Sequence, residues 1–231
     1  MTYLGIIFDF NGVLWWDSHL QEQSWREFAR QQFGASLTDE YMAVEVHGRN
    51  NQHTLEFLAG GPLDQQQVAQ LSNRKEMLYR ELCLAEGDGF RLSPGAVDLL
   101  DALKAAEIPR TVATASGIDN LMFFIAHLQL ERWFDPTVIV YDDGSRPGKP
   151  APDIYLQAAH RIGLKPGDCV VVEDSMAGIQ AARTAGTGYI IALVHESRNL
   201  STNIRTGADQ RIQNLSQINW NDDFQKNQIN R

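Results

Sequence analysis

Short apolar runs recur along this chain and alternate, in its later part, with segments of helical period. Leu4 to Phe8, Thr111 to Ala115, Thr137 to Tyr141, Cys169 to Val172 and Tyr189 to Val194 each read as a buried strand rich in Ile and Val. Ala96 to Ala106, Asp119 to Leu130, Asp153 to Ile162 and Ala177 to Ala185 carry the helical spacing between them. Strand and helix in alternation predict a mostly parallel sheet covered on both faces. The first strand is set apart from the others. From Ser18 to about Glu86 the pattern is helix after helix, with Trp25, Phe28, Ala29 and Phe33 on one apolar face. Gly34, Gly48 and the Gly60-Gly61-Pro62 turn punctuate it. The pattern therefore predicts one α/β core, residues 1–17 with 87–231, interrupted by an all-helical insertion over 18–86. Two consecutive domains would instead leave the first strand without a neighbour. Residues 221–231 are polar and read as a loose tail.

Composition narrows the function classes. The 231 residues are 43% hydrophobic and 21% charged, ordinary for a globular protein, and their formal net charge is −9. That charge disfavours nucleic acid or an anionic membrane as the main partner. It leaves small anionic substrates open, because a few local cations and a metal dominate a single pocket. Cys83 and Cys169 are the only cysteines, without a CxxC, and read as two reduced thiols rather than a disulfide. No basic leader precedes the first strand and no apolar run approaches membrane-spanning length, so the expected location is cytoplasmic. The oligomeric state is not legible.

Ligands of an open parallel sheet bind beyond the carboxyl ends of its strands. Asp9 and then Asn11-Gly12 follow the first run; Thr114 and Ser116 follow the second, with Gly117 opening a helix. Gly148-Lys149-Pro150 lies beyond the third and Glu173-Asp174-Ser175 beyond the fourth. Asp9, Glu173 and Asp174 offer three hard oxygen ligands, suited to Mg²⁺. Lys149 is a compact cation able to hold a phosphate oxygen or damp the carboxylates. Thr114 and the amides of the next turn can donate to phosphoryl oxygens. A carboxylate beside a metal can attack phosphorus. Each piece alone has a plainer reading: Asp9 as a turn cap, Lys149 as a surface lysine, Glu173-Asp174-Ser175 as a helix start. The "AGIQAARTAG" run reads as close helix–sheet packing through small residues. One of Trp15 and Trp16 is expected as a wall over the site and the other as packing.

The order Asp9, Thr114, Lys149, Glu173-Asp174 resembles the four motifs of the haloacid dehalogenase superfamily of phosphohydrolases. "GKPAPDIYLQAA" and "VVVEDSMAGIQAA" are similar to its β-phosphoglucomutase branch. The resemblance implies a Rossmann-like core with the helical insertion as a cap, Mg²⁺ as cofactor, and a small phosphorylated metabolite as substrate. By the same resemblance Asp9 is the nucleophile and a metal ligand. Asn11 supplies a backbone carbonyl to the metal, Thr114 and Lys149 bind phosphate, and Glu173 and Asp174 form the acidic metal pair. The turn at Ala115 and Ser116 meets the substrate, as do His47 and Arg49 of the cap. The implied activity is a phosphatase working through an aspartyl phosphate. A phosphoglucomutase-like transferase is the alternative, and carbon–halogen hydrolysis ranks below both.

Asn11 departs from the pattern, because the resembling proteins usually carry an acid there. An amide does not titrate and transfers no proton. Three readings follow: an enzyme whose proton work is done elsewhere, by His47, water or a leaving group that needs no acid; a weakly active or inactive relative that binds a phosphometabolite; or a substitution introduced to stall the reaction. A second departure is one extra residue before Asp17, at the Trp15-Trp16 pair.

Overall fold

The computed structural model describes residues 3–194 and 207–220. Six strands form one parallel sheet: β1 (Gly5–Phe8), β2 (Arg110–Gly117), β3 (Val140–Asp142), β4 (Cys169–Glu173), β5 (Tyr189–Leu193) and β6 (Gln210–Ile212). Their order is β3-β2-β1-β4-β5-β6. The chain thus builds outward from β1 on one side, then crosses to β4 and builds outward on the other. The crevice at such a switch point is where open sheets bind ligands. Phe8 aligns with Val112 on one flank and Val172 on the other, so the residues after β1 emerge between the ends of both neighbours.

Between β1 and β2 lie α1 (Ser18–Phe33), α2 (Asp39–Tyr41, continuing as a π turn over Met42–Val46), α3 (Asn51–Ala59), α4 (Gln65–Ala85) and α5 (Ala96–Ala105). Beyond β2 come α6 (Ile118–Leu128), α7 (Asp153–Arg161) and α8 (Met176–Thr184). Side chains alternate across the strands and divide the core in two. Ile6, Phe8, Val112, Val170 and Val172 pack with Leu100 and Phe124 of α5 and α6. Ile7, Ala113, Val171 and Ile190 pack on the other face with Tyr155, Ala158, Ala181 and Ala182 of α7 and α8. A third apolar cluster holds the inserted helices together through Trp25, Phe28, Ala29, Leu37, Met42, Val46 and Leu55.

Three details differ from the sequence reading. Thr137 to Tyr141 is not a continuous strand: Pro136–Val138 is a 3₁₀ turn, with Pro136 in its first turn and the Asp135 carboxylate accepting the Thr137 N–H. The strand begins only at Val140. The helix expected to reach Leu130 stops at Leu128, because Gln129 turns left-handed at φ 52°. The sixth strand was not foreseen; it is three residues long with one buried apolar side chain, Ile212. The expected loose tail, residues 221–231, lies outside the described residues. Both cysteines are free and buried, and burial pushes each thiol up to about 12. Among the described residues no helix is long and apolar enough to cross a membrane.

Candidate active site

Asp9 follows β1 directly and is buried at the carboxyl edge of the sheet. Lys149, from the loop before α7, points its Nζ between two carboxylates and donates to Asp9 Oδ1 at 2.7 Å and Glu173 Oε1 at 2.6 Å. Its side chain is 1% exposed. Glu173, the last residue of β4, is fully buried among converging donors. Lys149 and the Tyr155 hydroxyl (2.8 Å) reach Oε1; the Asp174 and Ser175 N–H groups and the Ser175 hydroxyl reach Oε2. Such closeness of Glu173 to α8 requires a glycine at 178, where a Cβ would stand 1.7 Å from Oε1. The small-residue run of α8 is therefore packing, as expected, and packing that seats a carboxylate.

Asp9, Glu173 and Asp174 each offer an oxygen within 4.8 Å of the others. Gly12 lets the Asp174 carboxylate come this near: its φ is +81°, and a Cβ there would lie 2.1 Å from Oδ2. Burial pushes the Asp9 carboxyl well above the usual range, Lys149 opposes this, and Glu173 and Asp174 add to it. Burial also works against the Glu173 charge, but Lys149 and the converging donors hold that carboxyl below its ordinary value. Burial disfavours the Lys149 ammonium too, yet Asp9 and Glu173 raise it above an ordinary lysine. Three carboxylates against one ammonium leave an excess of negative charge, and the donors are hard oxygens. That set fits a divalent cation such as Mg²⁺.

A cavity opens over this centre, between the sheet edge and the inserted helices. Asp9, Asn11, Lys149, Asp174, Ala115 and Ser116 line its floor, and His47 and Arg49 line its opposite side. Two predicted residues stand behind the wall. Glu173 is covered by its partners, and Thr114 is buried with its Oγ1 accepting the Ser116 N–H at 3.1 Å. His47 Nε2 lies 3.2 Å from Glu22 Oε1. Arg49 spans from the insertion to the core, donating from Nη1 to the Lys149 carbonyl at 3.1 Å. The expected indole wall is supplied by neither Trp15 nor Trp16: Trp15 packs on Phe90, Trp16 packs against the same core, and the tryptophan lining the cavity is Trp25.

Several lining or supporting residues were not foreseen. Lys75 and Tyr79 come from α4. The buried Lys75 ammonium lies over the rings of Trp25 (4.8 Å) and Tyr79 (4.9 Å) and donates to Gln21 and Glu76. Asp17, 1% exposed, accepts from Asn11, Gly12, Gln21 and Tyr79. Burial and the Asp17 charge push the Tyr79 phenol up, so it stays a donor. Lys75 and Tyr79 sit four residues apart on one helix face, which a helical reading can show; that this face meets the site depends on tertiary packing.

A family model described as haloacid dehalogenase-like hydrolase matches residues 3–186. The phosphorylated carbohydrates phosphatase of Thermotoga maritima is 28% identical over 204 residues, covering 88% of this chain and 91% of the relative. Hexitol phosphatase A of Escherichia coli is 30% identical over 195 residues, 84% of each chain. The solved structure of a HAD hydrolase, family IA, variant 3, from Entamoeba histolytica superposes with a TM-score of 0.81 at 32% identity. It covers 94% of this chain and 95% of its own. With most of its length matched by the family model and by these relatives, and with buried acidic groups at the carboxyl edge of its sheet, this chain belongs to the haloacid dehalogenase-like hydrolases.

Proposed function

We propose that this hydrolase is a Mg²⁺-dependent phosphatase of small phosphorylated carbohydrates or polyols, acting through a phosphoryl group carried on Asp9. The observation that carries the reading is the buried centre in which Lys149 bridges Asp9 and Glu173 with Asp174 alongside. The activities for which the two matched phosphatases are named support the substrate class. An Asp9 oxygen attacks phosphorus and the bond from phosphorus to the substrate oxygen breaks, that oxygen taking its proton from water because the Asn11 amide transfers none. A second water then cleaves the acyl phosphate, its proton passing to solvent, to release inorganic phosphate. Lys149 offsets negative charge beside the attacking carboxylate, and Ala115 and Ser116, in the irregular last residues of β2 and not in the turn expected after it, face the phosphoryl oxygens. Asp9, Asp174 and the Asn11 carbonyl would hold the Mg²⁺, with Glu173 behind them; bound there, it would neutralise phosphoryl charge. Residues 18–86 act as a cap that excludes water, bringing His47 and Arg49 to the far part of the substrate.

The test is phosphate release from a panel of sugar phosphates, polyol phosphates and acetyl phosphate, with and without Mg²⁺. Turnover at enzymatic rates that requires Mg²⁺ and disappears in Asp9→Asn is expected. Turnover unchanged in Asp9→Asn, or halide release from haloacids in place of phosphate release, would refute the reading.

A further inference from the structure

Asp17 stands at the junction of the nucleophile loop and the inserted helices, directly before α1. Its Oδ2 accepts from Asn11 Nδ2 at 2.6 Å, from Gln21 Nε2 at 3.1 Å and from the Tyr79 hydroxyl; its Oδ1 accepts the Gly12 N–H at 3.0 Å. The loop brings it there by closing on itself: Phe10 O accepts the N–H groups of Val13, Leu14 and Trp15, and Trp15 O accepts that of Gly12 at 2.7 Å. The chain therefore returns to Asn11 six residues after leaving it. Asn11 is committed at both ends of its amide. Its NH₂ also reaches the Tyr79 oxygen at 3.2 Å, and its Oδ1 accepts the Ser116 hydroxyl at 2.8 Å. One hydrogen-bonded line thus runs from Tyr79 on α4 through Asp17 and Asn11 to Ser116 in the irregular last residues of β2.

We propose that Asp17 is a positioning residue. It fixes the orientation of the Asn11 amide, and through it Ser116 at the end of β2, so that asparagine is what this site requires at position 11. A carboxylate has no hydrogen to give, so Asn11 turns its NH₂ toward Asp17 and its oxygen toward Ser116. An aspartate at 11 would set a second carboxylate 2.6 Å from the first, and like charges so close repel and drive the pair apart. Exchanging the two residues together restores the line: the amide, moved to position 17, would donate to the carboxylate at position 11, and Ser116 would still donate to position 11. Asn11 is then neither a defect nor a stalled acid. It is one half of an amide–carboxylate pair that ties the cap helix to the phosphate side of the site. The catalytic consequence rests on the phosphatase reading above, which assigns Ser116 and the end of β2 to the phosphoryl group.

The experiment compares the full chain with Asp17→Asn, Asn11→Asp, the double exchange Asn11→Asp/Asp17→Asn, and Tyr79→Phe. Acetyl phosphate hydrolysis with Mg²⁺ is one readout, chosen because its leaving group needs no proton. Thermal unfolding without substrate is the other. Each single exchange should lower kcat/KM by about tenfold or more, and the double should return to within about threefold of the unaltered chain. Unfolding temperatures should fall in the singles and recover in the double. Tyr79→Phe should give a smaller loss in both readouts, which keeps the test decisive if an exchange variant does not fold. Full activity in Asp17→Asn, or a double no better than the worse single, overturns the proposal. So does a loss in Asp17→Asn confined to alkyl phosphates such as glycerol phosphate, which would mark direct proton transfer instead. If even the unaltered chain releases no phosphate, the phosphatase reading fails, while the unfolding temperatures still decide the pairing.

Discussion

Replacing Lys149 by methionine keeps an unbranched apolar stem one atom shorter than lysine and removes the charge from a deeply buried ionic cluster. Nζ lies 2.7 Å from Asp9 and 2.6 Å from Glu173, with side-chain exposures of 1%, 9% and 0%. At an effective dielectric of about 20, each contact is worth roughly 6 kcal/mol of attraction, about 12 together. The oxygens of Asp9, Glu173 and Asp174 within 4.8 Å of one another repel by at least about 3 kcal/mol per pair, about 10 in all. Attraction and repulsion nearly balance, and desolvation takes up what is left. Without the ammonium only the repulsion and the desolvation remain. Uptake of a proton relieves part of that, so the expected net loss is the about 3–5 kcal/mol typical of breaking a buried pair.

For a chain of this size that corresponds to a fall in melting temperature of roughly 6–20 °C. The assay is thermal and denaturant unfolding of Lys149→Met and the unaltered chain, each with and without Mg²⁺. A divalent cation binding the same carboxylates supplies positive charge where the lysine is missing. Mg²⁺ should therefore stabilise the variant by more than it stabilises the unaltered chain. A variant within about 1 kcal/mol of the unaltered chain would refute the charge balance. Equal or no stabilisation of the two by Mg²⁺ would refute the assignment of the cation to this cluster.

Three other perturbations address different parts of the site. Gly178→Ala should gain up to about 1 kcal/mol of helix propensity and still lose about 1–3 kcal/mol overall, because its Cβ would stand 1.7 Å from Glu173 Oε1; denaturant unfolding and phosphate release should fall together. Arg49→Ala, which removes the Nη1 contact to the Lys149 carbonyl, should raise KM for a sugar phosphate by about tenfold with a smaller change in kcat, as steady-state kinetics would show. Burial holds the Asp142 carboxyl above its ordinary value, so its contribution to stability is present below the unfolded-state pKa and is lost as pH rises through the raised folded-state value. Asp142→Asn should accordingly melt higher than the unaltered chain at neutral pH, and that advantage should close in acid.

What the sequence makes legible here depends on how far a residue's position is set by its own element. Asp9, Glu173 and Asp174 stand at or directly after strand ends, and a parallel sheet lines up its strand ends whatever the packing of its helices, so the topology alone predicts that they meet. The run Cys169 to Val172 could be read because a strand buried on both faces is apolar throughout, whereas β6 offers only Ile212 against polar neighbours. Lys75, Tyr79 and Tyr155 escaped because they sit on helix faces whose direction is fixed only when three apolar clusters have formed. The Trp15-Trp16 pair misled for a related reason: indoles beside a nucleophile loop look like a lid, but a loop folded onto Phe10 O turns Trp15 into the core and leaves the cavity to Trp25. Asn11 shows the limit most sharply. Against a motif it reads as the loss of an acid, since only the residues adjacent in sequence are compared. The folded loop returns Asp17 to within 2.6 Å of it, and at that distance a second carboxylate is the less favourable neighbour. The amide at 11 and the carboxylate at 17 are then the two halves of one contact that the folded loop makes and the linear sequence hides.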